Sequence, residues 1–192
     1  PTILISVIGT IEDVKKAVTM DIKQSGSLLY ILGTTKNELG CSEYLASWGR
    51  KGCRLPAVDA KKALRRYRLL HEAIRQGMIL SAHDCSDGGL AVCLAEMAFA
   101  GGYGMDIDLG RVKSEKGMSE TEILYSESAS RIVIEVPPEK RKSAMDLFGR
   151  DAACIGTSTR EQDLIIRSKS GKTLISEANS DLKAAWKKTL DF

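Results

Sequence analysis

A helix without a polar face is predicted near the middle of the chain. The stretch "GLAVCLAEMAFA", residues 89–100, is apolar almost all round. A helix of this kind has to be buried, because no side of it can face water without exposing large apolar side chains. It follows the strand-like run "MILSAH" and the polar loop "DCSDGG". Residues 89–100 are therefore expected to form an interior helix covered by other elements.

Runs of β-branched and apolar residues alternate with helical patterns along the rest of the chain. A hairpin is also predicted, because the turn "KSGK" separates "DLIIRS" from "TLIS". Interleaved strands and helices together with hairpins predict an α+β class, a mixed sheet flanked by helices. The predicted strands are 2–9, 27–33, 78–83, 105–109, 131–136, 153–159, 163–168 and 173–176, and the predicted helices are 42–48, 59–76, 89–100, 120–126, 137–149 and 180–190.

The helix 59–76 has the clearest signals. Asp59 can cap its start and Gly77 can end it. The pattern places one apolar face toward the sheet: Ala60, Ala63, Leu64, Tyr67, Leu70 and Ile74. The cations Lys61, Lys62, Arg65, Arg66 and Arg68 are expected on the solvated face.

Charge, hydropathy and cysteine content exclude several classes of protein. The formal net charge of +3 is too small to indicate a nucleic-acid partner. No apolar run approaches the ~20 residues that span a bilayer, so no membrane association is predicted. Five cysteines without a C-x-x-C pair indicate neither a disulfide framework nor a zinc site. Free thiols are typical of a reducing compartment, so a cytoplasmic location is predicted.

The loop before the buried helix is the first candidate site. Gly88 and Gly89 can present backbone amides to an anion at a helix N-terminus, and Ser86 can add a hydroxyl. Asp84 and Asp87 would repel a bare phosphate but could hold a Mg²⁺ that carries one. In the competing structural reading, Asp87 caps the helix and the glycines only permit close packing. The residues alone favour the structural reading.

Three further groups have both a functional and a structural reading. In "LYSESASR", Ser126, Glu127, Ser128 and Arg131 could bind hydroxyl or phosphate groups, or the serines could satisfy local backbone groups in a turn. His83 lacks a partner at metal-ligand spacing and is expected to be a satisfied core or edge histidine. In "NELGCSEY", the expected role of Glu38 and Ser42 is to cap a short helix.

Three of these stretches together resemble a known enzyme family. "ELGCSEYL", "HDCSDGGLAVCLAEMA" and "LYSESASRIVIEV" occur in the same order in phosphoribosylformylglycinamidine synthase, and "PTILISVIGTIEDVKKAVTMDIK" is similar to the lead-in to that family's final domain. That family belongs to the aminoimidazole ribonucleotide synthetase superfamily. The resemblance implies the C-terminal domain of the second of two homologous halves. Residues 1–25 would be the tail of the preceding ATP-binding-type domain and a linker, and 26–192 the C-terminal α/β domain.

The resemblance implies roles for individual residues. In the first half of such enzymes, the position corresponding to Asp84 is a magnesium ligand, and the segment corresponding to 127–129 contacts the substrate. Two departures mark this copy, since Ala129 replaces an amide side chain and Cys41 replaces a glycine. No catalytic residue is expected. The expected ligand-binding residues are Asp84, Ser86, Asp87, Gly88, Gly89, Ser126, Glu127, Ser128 and Arg131, with Asp84 as the metal ligand.

By resemblance, the whole enzyme is a carbon–nitrogen ligase that amidates formylglycinamide ribonucleotide in purine synthesis, with ATP, Mg²⁺ and glutamine as the amido donor. Its partners would be the upstream domains of the same chain and a glutaminase subunit or domain. The chain begins without Met, which fits an excised piece. The fragment alone is expected to be inactive, to require no cofactor, and to be able to form a homodimer through surfaces that the missing half would cover.

Two alternatives stay open. The domain could come from another superfamily member, namely a thiamine monophosphate kinase, a selenophosphate synthetase or a hydrogenase maturation protein. It could also be a non-catalytic module that binds a ligand or acts as a scaffold. The glycine-rich loop would then bind an anion or no ligand at all.

Overall fold

One seven-stranded mixed sheet organises the molecule. The structure is a computed structural model that describes residues 4–52 and 54–188. The strands are β1 (Leu28–Leu32), β2 (Ser81–Asp84), β3 (Gly104–Asp108), β4 (Ile132–Val136), β5 (Ala152–Thr159), β6 (Asp163–Arg167) and β7 (Thr173–Ala178). Their order is β2-β4-β1-β5-β3-β6-β7, with β3 and β6 parallel and the other neighbours antiparallel. The predicted α+β class with a mixed sheet is confirmed, and so is the β6–β7 hairpin.

Helices cover both faces of this sheet. They are α1 (Glu43–Ser47), α2 (Ala60–Arg75), α3 (Gly89–Gly101), α4 (Glu120–Tyr125), α5 (Arg141–Phe148) and α6 (Asn179–Lys188). One core lies beneath α3, which also contacts α4 and α6. A second core, which includes Tyr30 and Phe148, lies on the other face beneath α2 and α5.

The prediction of a buried helix at 89–100 is confirmed by α3. Leu90, Leu94 and Met97 are fully buried. Gly101 closes the helix against the backbone of Ile22, where an added Cβ would lie 2.2 Å from the carbonyl oxygen. The burial of these side chains fixes the position of the N-terminus of α3 relative to the sheet.

Helix α2 has the predicted ends but not the predicted buried face. The Asp59 carboxylate accepts a hydrogen bond from Lys62 N at 3.1 Å, and the helix stops before Gly77. Leu64 and Tyr67 are half exposed, whereas Arg66, expected on the solvated face, is only 7% exposed. The reason is a set of polar partners beneath the helix that binds the Arg66 guanidinium.

The predicted strand at residues 2–9 is wrong where the structure describes it. Residues 4–9 have no regular structure, and Leu4, Val7 and Ile8 are 89%, 89% and 96% exposed. An apolar, β-branched composition favours a strand only when a neighbouring strand can pair with it, and no described strand lies alongside. Further along the same N-terminal segment, the Ile22 side chain is buried, unlike those of Leu4, Val7 and Ile8.

Residues 19–24 are integrated into the domain. Thr19 bridges Ser81 at the edge of the sheet. The buried Glu135 carboxylate accepts hydrogen bonds from Lys23 N at 2.9 Å and Gln24 N at 3.3 Å.

Among the described residues, no helix has the length and apolar composition that a membrane-spanning segment requires.

Candidate functional site

The sheet brings the two predicted site segments together. Strand β2 pairs with β4, with Asp84 opposite Ile132, and Cys85 N donates to Arg131 O at 3.0 Å. The loop after β2 therefore lies beside the turn that precedes β4. All nine predicted ligand-binding residues lie in these two adjoining segments, 84–89 and 126–131.

The start of α3 is capped by a different residue from the one expected. Gly88 is the N-cap, in the left-handed conformation with φ of 75°, and Gly89 follows with φ of 65°. The Asp87 side chain is exposed and makes no cap hydrogen bond in the described structure, so the expected Asp87 cap is wrong. The left-handed turn at Gly88 separates Asp87 from the helix, and the acceptor comes from another segment.

That acceptor is Glu127, whose carboxylate joins the starts of two helices. Glu127 Oε1 accepts hydrogen bonds from Gly88 N and from Glu43 N, each at 2.9 Å. A negative charge is favourable at helix N-termini, where unpaired amides carry partial positive charge. The Glu127 carboxylate thus places a negative charge beside the N-cap amide of α3 and the first amide of α1.

Close packing explains the second glycine. A Cβ on Gly89 would lie 2.7 Å from Ser126 O and 2.8 Å from Leu124 O. Contacts that short are not tolerated by a side chain, so glycine lets α3 start directly against the α4–β4 turn. The structural reading of the glycine pair, close packing, is thereby supported for Gly89.

Ser126, Ser128 and Arg131 are buried and bind protein groups. Ser128 Oγ accepts from Lys36 N at 2.9 Å and donates to Lys36 O at 3.2 Å. The Arg131 guanidinium, 1% exposed, donates to Ser128 O at 3.1 Å, to Thr35 Oγ1 at 3.0 Å and to Ser126 O. These bonds fix the loop after β1 against the turn before β4. Contact of these side chains with a ligand stays a prediction.

Asp84, Ser86 and Asp87 are the predicted site residues that face solvent. Asp84 Oδ1 lies 3.4 Å from His83 Nδ1, and the Asp84 side chain is 70% exposed. No group of three or more His, Cys, Asp or Glu side chains suited to a metal occurs in the described ranges 4–52 and 54–188. Mg²⁺ takes six oxygen ligands and often keeps several waters. The two exposed carboxylates of this loop, Asp84 and Asp87, are therefore too few to form a complete site by themselves.

His83 matches the expectation of a satisfied edge histidine. Its Nε2 lies 2.7 Å from Glu96 Oε2, and Trp186 Nε1 donates to Glu96 Oε1 at 3.1 Å. The imidazole is therefore held between β2, α3 and α6.

The thiol of Cys93 lies nearby in α3. Burial raises the pKa of this thiol, so the thiol stays protonated and behaves as an apolar group.

Sequence reasoning missed two features beside the site. Tyr44 and Tyr125 stack with ring centroids 4.5 Å apart, and burial raises the pKa of Tyr125. Glu38 does not cap α1 as expected; it is 1% exposed and accepts from Ala57 N at 3.2 Å, while the N-cap of α1 is Ser42. No local sequence pattern signals the stacking of the two tyrosines or the bond between Glu38 and Ala57, because the partners in each contact are far apart in sequence.

Comparisons with known proteins agree on a family. The profile of "AIR synthase related protein, C-terminal domain" matches residues 24–169. The PurL subunit of phosphoribosylformylglycinamidine synthase from Moorella thermoacetica is 34% identical over 194 residues, covering 99% of this chain and 26% of that protein. The corresponding subunit from Thermococcus sibiricus is 36% identical over 186 residues, covering 95% and 25%. The chain thus spans about a quarter of the length of these relatives.

Solved structures share the fold. Thermotoga maritima PurL complexed with FGAR superposes with a TM-score of 0.77 at 19% identity, covering 88% of this chain and 30% of that one. The hydrogenase maturation protein HypE in complex with ATP gives 0.60 at 17% identity, covering 85% and 54%. At these identities the likeness describes the fold alone.

Proposed function

The chain belongs to the AIR synthase related protein family, whose C-terminal domain it contains, and from that premise we propose that it is a fragment of a PurL subunit of phosphoribosylformylglycinamidine synthase. One observation carries the proposal: the chain is 34–36% identical to PurL subunits along 95–99% of its length, yet spans about a quarter of theirs. The similarity to HypE extends to the fold only.

The reaction we propose for the whole enzyme is amidation of formylglycinamide ribonucleotide. When bound by the whole enzyme, ATP would supply the phosphoryl group that activates the substrate amide. The residues of this fragment do not fit a complete nucleotide and metal site: Glu127 holds the start of α3, and the exposed carboxylates Asp84 and Asp87 do not form a metal-binding group of three or more among the described residues. The proposed role of the fragment is to form part of the wall of a site completed by other domains.

The partners follow from the same proposal. Solved structures of T. maritima PurL complexed with ATP and of T. maritima PurLQS support ATP as a ligand and a glutaminase as a partner of the whole enzyme. Mg²⁺, with Asp84 as a contributing ligand, and a cytoplasmic location belong to the proposal as well. The exposed apolar side chains of 4–14 are where we expect the upstream domains to pack, or a second copy of the isolated chain.

Residues up to about 18 are proposed as the tail of the preceding domain. The family profile begins at residue 24, and residues 4–17 are exposed throughout. Thr19 and Ile22 contact the sheet and its core, so the domain proper would begin slightly earlier than the expected boundary at residue 25.

The experiment is an amidation assay on the purified 192-residue chain. The chain is mixed with formylglycinamide ribonucleotide, ATP, Mg²⁺ and ammonia, and ADP release is followed beside an active full-length PurL. We expect no turnover above the enzyme-free blank, because no complete site is present. Turnover by the pure chain, abolished by Asp84→Asn, would overturn the proposal that the fragment only completes a site.

A further inference from the structure

Helix α2 has an apolar centre on the side that faces solvent. Leu64 is 51% exposed and Tyr67 is 48% exposed. At 3.6 residues per turn, Leu64 lies between Lys61 and Arg68 on the outward stripe, because positions three and four apart share a face. Single exposed leucines are common on protein surfaces, so the surroundings of Leu64 decide whether it has a role.

The surroundings of Leu64 are cationic and unneutralised. Lys61, Arg65 and Arg68 are exposed, and none of them forms an ion pair within the part of the chain that the structure describes. The carboxylates of this helix and its cap are already engaged: Asp59 pairs with Lys62 at 3.1 Å and Glu72 with Arg75 at 3.1 Å. The outward face of α2 therefore has unpaired positive charge around an apolar residue.

We propose that this surface, Lys61, Leu64, Arg65, Tyr67 and Arg68, hereafter the α2 face, docks an acidic protein segment. Carboxylates of the partner would pair with the three cations, and an apolar side chain would pack over Leu64 and Tyr67. Charge complementarity of this kind steers association and fixes register. Tyrosine and arginine are also the residue types that contribute most to binding when buried at an interface. The proposal does not depend on the proposed function.

Neither a bilayer nor a nucleic acid fits the α2 face as well. An interfacial helix needs a broad apolar face for the membrane, and the broad apolar side of α2 is packed against the sheet through Ala73 and Ile74. Nucleic-acid binding depends on cations that neutralise successive phosphates. The middle of the outward stripe of α2 is Leu64, an apolar side chain that would lie against the phosphates and could not neutralise one.

The test uses a synthetic peptide as the partner. The probe is a fluorescein-labelled helical peptide of alanines in which glutamates flank one leucine at i−3, i+1 and i+4. Fluorescence anisotropy measures its binding to the 192-residue chain. We expect saturable binding that weakens as salt is raised, because exposed charges are screened. The double variant Arg65→Glu/Arg68→Glu should weaken binding at least about tenfold, and Leu64→Ser about threefold or more.

A matched control keeps the change in net charge constant. Lys183 and Lys187 are exposed on α6, which packs on α3 and its core rather than on the core beneath α2, so Lys183→Glu/Lys187→Glu should leave binding unchanged. Circular dichroism of each variant checks that the fold is retained. Three results would overturn the proposal: equal loss in the control, equal binding of a peptide with lysines in place of the glutamates, or tighter binding of phosphatidylserine vesicles or duplex DNA than of the acidic peptide.

Discussion

The guanidinium of Arg66 joins four separate segments of the molecule. Its Nε and Nη2 atoms donate to the two Asp151 carboxylate oxygens at 2.7 and 2.8 Å, and Nη1 donates to Ser130 O at 2.7 Å. The plane of the group lies against Gly33, where an added Cβ would be 2.9 Å from Cζ. One side chain of α2 thus holds the end of β1, the turn before β4 and the segment before β5.

Arg66→Ala should lower the free energy of unfolding by about 3 kcal/mol, because it removes a buried ion-pair partner and leaves Ser130 O without its donor. Urea denaturation measures the change. Arg65→Ala is the control one residue away; it is exposed and should change stability by less than about 0.5 kcal/mol. Equal effects of the two variants would show that the Arg66 contacts contribute nothing.

Cys41 occupies a backbone position that favours glycine. Its φ is 57°, in the left-handed region, and its thiol is exposed without a described partner. The left-handed conformation costs a residue with a Cβ about 1–2 kcal/mol, whereas glycine adopts it freely but loses more entropy on folding. This geometry gives a physical reason for the glycine expected at this position from the family pattern.

Cys41→Gly should therefore raise the free energy of unfolding by about 0.5 kcal/mol. Ser130 is the matched control, because its φ is 59° but its Oγ accepts a hydrogen bond from Arg66 Nη1 at 3.0 Å. Ser130→Gly relieves the same strain and loses that bond, so it should not stabilise the protein. Thermal unfolding of both variants distinguishes the two cases.

At the scale of elements, the Glu127 carboxylate couples α1, α3 and the turn before β4. Glu127→Ala leaves the amides of Gly88 and Glu43 without an acceptor and should cost about 1–3 kcal/mol of stability. Glu127→Gln keeps one acceptor oxygen and should cost less. Amide hydrogen exchange at residues 43 and 88 should accelerate in the alanine variant. Glu120→Ala, in the first turn of α4, is the control: it removes a carboxylate that binds neither amide, so both amides should stay protected.

The ends of most elements were predictable from the sequence, because they depend on local residues. Asp59 and Gly77 delimit α2, and the turn at residues 169–172 delimits the hairpin. Burial of Arg66 was not predictable, since its partners are far away in sequence. The same holds at the candidate site: the two segments were identified, but the Glu127 cap depends on a contact across 39 residues. The strand expected at 2–9 has the right composition but no described partner strand.

At the scale of the whole molecule, the described N-terminal segment divides into an exposed part and a part that packs against the sheet. Residues 4–17 are exposed, whereas Ile22 is 1% exposed and Lys23 N binds the buried Glu135 carboxylate. Deleting residues 1–16 should change the free energy of unfolding by less than about 1 kcal/mol.

Deleting residues 1–24 should destabilise the domain by more than about 3 kcal/mol, because it opens a core cavity and leaves Glu135 short of donors. Urea denaturation of the two truncated chains measures the difference. Similar stabilities of both would contradict the boundary near residue 18.

We propose that this chain completes a site formed by the rest of a PurL subunit. A chimera tests it most directly: the matching quarter of Moorella thermoacetica PurL is replaced by this chain, and ATP-dependent amidation of formylglycinamide ribonucleotide is measured with ammonia as nitrogen donor. We predict turnover within about tenfold of the parent, a difference of about 1.4 kcal/mol in barrier height. A folded chimera that has lost all turnover would contradict the claim.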